Sequence, residues 1–293
     1  MKGERFEYEK INFRNIWKLK KIFRKFERSI IYVFNDNFPQ NQYVLFKNFQ
    51  NNGINIYVED GIGAYSDSKV DDFPIRKKIL LRVLFGKSFQ RLRILGTYPC
   101  IHKMFAFHPE IVRDELRGLK IEKIPDNTFK LLLTSNFCHH FFKTQNIDIS
   151  TLNNKIVIFI PHSSLLIKIN KLEEYKKVLK QIGSTIEEIV IKYHPREKEK
   201  DYLKMSLNRK IQIFPRSVPA ELLYMTFLDN KPKAIISDSY TTFINTTGLE
   251  DVKLISLMDV LQIEDNGLIK RLSNSNIIFP NDITDLFDIL SKL

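Results

Sequence analysis

The amino-acid sequence predicts an α/β protein in which parallel sheets are covered by helices. Three observations carry that expectation. Short apolar runs alternate with amphipathic stretches, the longest of these runs, such as 156–161, have strand length, and 293 residues suffice for one large domain or two ordinary ones. With 43% hydrophobic and 27% charged residues, the chain can bury a core and is not disordered.

The first predicted element is a basic amphipathic helix at 15–28. Ile16, Leu19, Ile22, Phe23 and Phe26 share one face, and Lys18, Lys20, Lys21, Arg24, Lys25 and Arg28 crowd the rest. The β-branched and aromatic run 30–34 reads as a strand, and 42–51 as a helix stopped by Gly53. A second strand at 54–58 runs directly into Glu59, Asp60 and Gly61, and helical patterns follow at 76–85 and 128–142. Two strands are few for a doubly wound domain, so this half reads as small or as lacking leading elements.

The polar stretch 144–154 marks a boundary, giving domains 1–148 and 149–293. Beyond it strands are predicted at 155–160, 188–193, 211–214, 233–237 and 253–256. Helices are expected between them at 168–182, 197–207, 220–228 and near 241–247, with a closing helix at 283–293. That alternation describes a doubly wound, nucleotide-type domain, whose ligands sit at the carboxyl ends of its strands.

The net charge of +12 is unevenly spread. Residues 1–150 hold 26 basic and 16 acidic groups, whereas 151–293 hold 20 and 18, so the first half is the place to look for an anionic partner. Segments 10–28 and 76–93 are the most basic, yet no zinc-finger, RNP or recognition-helix pattern accompanies them, which argues against nucleic acid. The helix at 15–28 fits either peripheral contact with an anionic membrane or an apolar face packed on the sheet.

Only Cys100 and Cys138 occur, which excludes a disulfide framework and a cysteine-rich zinc site. No run approaches the length of a spanning helix, and the N-terminus lacks the apolar core of a secretory signal. The expectation is a cytoplasmic protein, peripheral on the inner membrane face if 15–28 binds lipid.

Three segments lie where a strand gives way to a loop. In YVEDGIGAY, 57–65, the pleat sends Glu59 and Asp60 to opposite sides, and Gly61 and Gly63 permit positive φ and close backbone approach; the pattern also fits an ordinary acidic turn. In IVIKYHPRE, 189–197, His194 ends a strand and Pro195 restricts it towards extended backbone. An imidazole there can bond or protonate a phosphate, with Lys192 and Arg196 beside it, or can be structural. In IISDSYTTFINTT, 235–247, Ser239, Thr241 and Thr242 open a predicted helix, either as a phosphate site or as N-caps. Glu221 in VPAELLY, 218–224, can cap a helix or reach a ribose hydroxyl.

The order and spacing of Glu59-Asp60-Gly61, His194-Pro195 and Thr241-Thr242, with Pro219-Ala220-Glu221 before the last, resemble the bacterial sialyltransferases and polysialyltransferases over about residues 29–260. That family's third motif is usually Ser-Ser or Ser-Thr; Thr-Thr here keeps both hydroxyls. The resemblance implies two Rossmann-like domains facing across a cleft, the GT-B arrangement, with acceptor bound by the first and CMP-sugar by the second. It implies transfer of sialic acid from CMP-sialic acid to a cell-surface glycan, lipooligosaccharide or capsular polysaccharide, with Asp60 as general base and His194 acting on the departing phosphate. Pro195, Glu221, Ser239, Thr241 and Thr242 would hold the donor, and Pro161, His162 and Ser163, after the strand at 155–160, are candidates to line its pocket.

No metal or other cofactor is expected, and the acceptor would be anionic or lipid-linked. Asp71 and Asp72 read as solvated turn residues, and Cys138, His139 and His140 cannot converge on one ion because adjacent helical positions diverge by about 100°. A CMP-Kdo transferase, which also uses a CMP-activated acidic sugar and shares the His-Pro and acidic-Gly features, is the nearest rival reading. Polyol-phosphate transferases are more distant, and the short first half also fits a non-catalytic relative.

Overall fold

The isoleucine- and valine-rich runs become parallel strands. In the computed structural model the described residues are 21, 28–59, 61–67, 69–70, 72–125, 128, 136–227, 230–238, 251–264 and 277–293. The chain divides into two compact units, Met1–Ile124 and Pro125–Leu293.

The first unit holds β1 (Ile30–Val33), α1 (Pro39–Gln50), β2 (Ile54–Val58), α2 (Ile75–Phe85), β3 (Lys103–Ala106) and β4 (Lys120–Lys123). Its four strands are all parallel, in the order β1-β2-β3-β4. This corrects the sequence expectation of two. The segments KMFA and KIEK are only four residues each and the second is three-quarters charged, so no apolar run announces them. Tyr43, Leu81, Phe85 and Phe89 pack together where α1 meets α2.

The turn after β1 is held by one buried carboxylate. Asp36 accepts the backbone N–H groups of Gly96 and Tyr98, each at 2.9 Å. Gly96 stands at φ +84°, and a Cβ there would lie 2.9 Å from the Tyr57 ring and 3.0 Å from Leu116. Gly96→Ala should therefore lower stability by about 1–2 kcal/mol, from left-handed strain and a contact the buried ring cannot leave. A thermal melt unchanged from wild type would contradict that account.

The second unit holds α3 (Asn136–Thr144), β5 (Ile156–Ile160), α4 (Ser163–Lys168), α5 (Leu172–Thr185), β6 (Ile189–Tyr193), β7 (Ile211–Phe214), α6 (Ala220–Thr226), β8 (Ala234–Ser237), β9 (Lys253–Ser256), β10 (Ile277–Ile278) and α7 (Ile283–Leu290). All pairings are parallel, in the order β10-β9-β8-β5-β6-β7. The pleat of β5 explains why its apolar run is continuous. Ile156, Ile158 and Ile160 face a core built with Leu179 and Ile182 of α5 and Leu286 of α7, while Val157 and Phe159 face Phe142 of α3 and Leu223 of α6.

Phe142 and Leu152 belong to that second core, in the unit that runs from Pro125. The expected helix at 197–207 is absent. Asp201 accepts the N–H groups of Met205 at 2.9 Å and Ser206 at 2.8 Å as well as the Tyr193 hydroxyl, and Lys204 is left-handed at φ 56°, so only the short 3-10 turn Met205–Leu207 forms. The expected helix at 168–182 forms as α5, which starts only at Leu172 because Asn170 before it turns left-handed at φ 54°, and the short α4 ahead of it was not expected. The expected helix near 241–247, residues 129–135 of the one at 128–142, and all but Lys21 and Arg28 of the one at 15–28 lie outside the described residues. Among the described residues no helix is long and apolar enough to cross a membrane.

Candidate active site

Strand order selects one edge of the second sheet. From β5 the chain winds outward through β6 to β7, then returns to β8 on the other side of β5 and winds outward through β9 to β10. The connections part between β5 and β8, and the crevice at such a switch point, outside the carboxyl ends of the strands, is where open α/β sheets bind ligands. Pro161, His162 and Ser163 follow β5, His194 to Glu197 follow β6, and Asp238 follows β8.

Two imidazoles meet there. The rings of His162 and His194 are 5.4 Å apart and nearly perpendicular. His162 caps α4, its Nδ1 accepting the Ser164 N–H at 3.2 Å and lying 2.6 Å from the Ser164 hydroxyl. Nδ1 of His194 likewise accepts the Arg196 N–H at 3.2 Å. With each Nδ1 accepting a backbone N–H, the ring proton stands on Nε2, ready to donate to an anion. Burial, then the neighbouring His162, Arg196 and Lys192, hold His194 below the usual imidazole range, so the ring is neutral at pH 7.

Glu197 braces this edge. It is buried, and its carboxylate accepts both the backbone N–H of Ser163 and, at 3.0 Å, the Ser163 hydroxyl, tying the β6 turn to the start of α4. The Arg216 guanidinium donates to the carbonyls of Glu197 and, at 2.6 Å, Lys198. Lys192 is buried as well, its ammonium bonding the carbonyls of Tyr193 at 2.7 Å and Arg216 at 3.1 Å. Its charge therefore acts on the site through the protein interior, whereas Pro195 and Arg196 are exposed beside His194. Pro161 is half-buried and accepts the Tyr202 hydroxyl at 3.4 Å.

Asp238 completes the described edge. Its side chain is buried with Oδ1 unpartnered among the described residues, and burial pushes its carboxyl up to about 7. Glu221 lies in the first turn of α6, and nothing further is described of its side chain. Ser239, Thr241 and Thr242 lie outside the described residues.

In the first unit, Glu59 stands at the carboxyl end of β2 and is 6% exposed. Its Oε2 accepts the Phe107 N–H at 2.8 Å, fastening the exits of β2 and β3, while Oε1 has no partner among the described residues. Burial raises the carboxyl to about 8. Asp60 lies outside the described residues. Gly61 and Gly63 belong to a 3-10 turn, Gly61–Ala64, and the left-handed glycines among the described residues are Gly86 and Gly96 instead.

Of the sequence candidates, Pro161, His162, Ser163, His194 and Pro195 come to one sheet edge. Glu197 and Asp238 were missed. The first sits in a charged stretch, REKEKD, where nothing separates one buried Glu from solvated neighbours, whereas Asp238 ends an apolar strand and was legible by the rule that singled out His194. Asp71 lies outside the described residues, and Asp72 pairs with Lys78 at 2.7 Å and with Arg91. Among the described residues no group of three His, Cys, Asp or Glu is placed to hold a metal ion.

Comparison with known proteins places this geometry in context. A family model described as alpha-2,8-polysialyltransferase (POLYST) matches residues 4–259. No curated protein matches the chain. Among solved structures, the GT-B domain of a sialyltransferase from Photobacterium damselae is similar at 12% identity and TM-score 0.54, covering 92% of this chain and 84% of its own. A protein described as UDP-N-acetylglucosamine 2-epimerase from Listeria monocytogenes is similar at 12% identity and TM-score 0.56, covering 95% of this chain and 69% of its own. At such identities the likeness shows the fold, the two-sheet α/β architecture of GT-B proteins.

Proposed function

Because the chain belongs to the alpha-2,8-polysialyltransferase family and is a glycosyltransferase, we propose that it moves sialic acid from CMP-sialic acid to a hydroxyl of a cell-surface glycan with inversion at the anomeric carbon. The observation that carries the reading is the pair of imidazoles, His162 and His194, at the switch point of the second sheet. A sugar activated by a single phosphate needs hydrogen-bond donors where that phosphate departs, and two Nε2–H groups beside Arg196 supply them.

In this reaction the acceptor oxygen attacks the anomeric carbon as the bond from that carbon to the phosphate oxygen breaks. The electron pair leaves on CMP, and the acceptor proton passes to Asp60. In the resting protein neutral His194 donates from Nε2. The approaching phosphate anion opposes the burial and the neighbouring cations that depress the ring, so the imidazole takes a proton from solvent at Nδ1, giving up the Arg196 N–H, and hands its Nε2 proton to CMP. Thr241, Thr242 and Ser239 would add hydroxyls to the phosphate, Glu221 would reach the ribose, and Pro161, Ser163 and Pro195 would shape the pocket. The scheme calls for no metal, since imidazoles and hydroxyls meet the single phosphate.

Donor consumption tests the reading. Purified protein offered CMP-sialic acid, CMP-Kdo and CDP-glycerol in turn should release CMP from the first, slowly without acceptor and faster with an oligosialic acid acceptor. Preferential consumption of either other donor, or no release from any of the three by folded protein, would overturn it.

A further inference from the structure

Helix α2 is built the wrong way round for a helix facing water. Leu81 and Phe85 are buried against Tyr43 and Phe89. On the opposite side, where an amphipathic helix is ordinarily polar, stand Ile75, Ile79, Leu80 and Val83, exposed by 74%, 62%, 48% and 76%. Ile75, Ile79 and Val83 are spaced four apart, so they form one stripe along the outer surface.

Cations surround that stripe. Arg76 lies within the outward face, Arg82 and Lys78 flank one side, and Lys77 flanks the other, held over the Phe73 ring at 4.5 Å. Lys78, Arg82, Lys87 and Arg91 line an adjoining open groove together with Ile79 and Phe89. Between Phe73 and Pro109 the sequence contains no Asp or Glu, and Asp72, paired with Lys78 and Arg91, offsets part of this patch.

We propose that the outward face of α2 is a docking surface for an anionic lipid bilayer. Both halves of the pattern are needed for that surface and for no other of comparable simplicity. Phosphate headgroups pair with the arginines and lysines, and the interfacial region accepts branched aliphatic side chains that water penalises. A soluble anionic glycan would engage the cations but reward none of the four aliphatic groups, which have no ring face to offer a sugar. A second copy of this chain would oppose cation to cation.

The test uses the full chain in flotation with two vesicle preparations, phosphatidylcholine alone and phosphatidylcholine mixed with phosphatidylglycerol. Wild type should float with the anionic vesicles only. Ile79→Ser/Val83→Ser removes apolar groups that already stand in solvent and should leave the thermal melt unchanged, yet weaken vesicle binding by about tenfold or more. Arg76→Glu/Arg82→Glu should abolish binding independently. Dextran sulfate, a polyanion without acyl chains, should bind wild type and the serine variant alike. Absence of wild-type binding would overturn the proposal. So would vesicle binding indifferent to the two serines, which would assign attachment to charge alone or to another segment such as 15–28.

Discussion

His194→Ala should lower transfer from CMP-sialic acid on the order of 10²-fold or more, and Asp60→Ala should do the same, with folding intact in both. For His194 the expectation follows from geometry. The side chain ends β6 at the ligand edge, half-buried, and its Nδ1 bond to Arg196 directs the remaining N–H outward, so alanine removes a donor without opening the core. The same position fixes the pH response. Burial and neighbouring cations depress the free imidazole, and a bound phosphate anion raises it, so donor binding takes up protons. The KM for CMP-sialic acid should therefore fall as pH drops through the interval between the free and bound values in wild type. That trend should vanish in His194→Gln, which keeps a donor but cannot titrate. Wild-type turnover in either alanine variant, or an identical KM profile in His194→Gln, would remove these residues from the mechanism.

The second sheet was readable because burial on both faces forces continuous apolar runs, and β5, β6, β8 and β9 appear where 155–160, 188–193, 233–237 and 253–256 predicted them. The first sheet was half legible for the complementary reason. KMFA and KIEK spend their side chains on surface pairs such as Lys103–Glu122, so sheet membership there rests on backbone ladders the sequence does not display. Helix 197–207 failed as an expectation because the Asp201 carboxylate competes for the N–H groups a helix would have used. Among site residues, strand-end position identified His194, and the turn after β5 identified His162. No local rule could show that Glu197 is turned inward, nor that the apolar stripe of α2 is turned outward, because both depend on what packs against the opposite side.

Glu59→Gln should stabilise the protein at neutral pH and leave transfer nearly intact, and together these outcomes separate the two acidic residues of the motif. In the folded protein Glu59 keeps its proton up to about pH 8, whereas the unfolded chain releases it near 4.5. The folded state thus binds more protons across that window. The Glu59 contribution to stability is therefore fully present below pH 4.5, declines as pH rises to about 8, and is level beyond. Each pH unit within the window costs about 1.4 kcal/mol, so glutamine, which cannot ionise in either state, should gain roughly 3 kcal/mol at pH 7 and almost nothing at pH 4.5. Its carbonyl can still accept the Phe107 N–H, so the fastening of β2 to β3 survives. Denaturant melts at the two pH values measure the difference, and equal destabilisation at both would mean that the buried carboxyl is ionised in the folded state. Activity decides the chemical role. A carboxyl raised to about 8 has the basicity of a general base, but its side chain is spent inward on the exit of β3. Glu59→Gln should retain transfer within about fivefold, against the 10²-fold or greater loss expected for a proton acceptor. A loss of that size in Glu59→Gln, with Asp60→Ala still active, would move the base to Glu59 and require the β2 exit to open during catalysis.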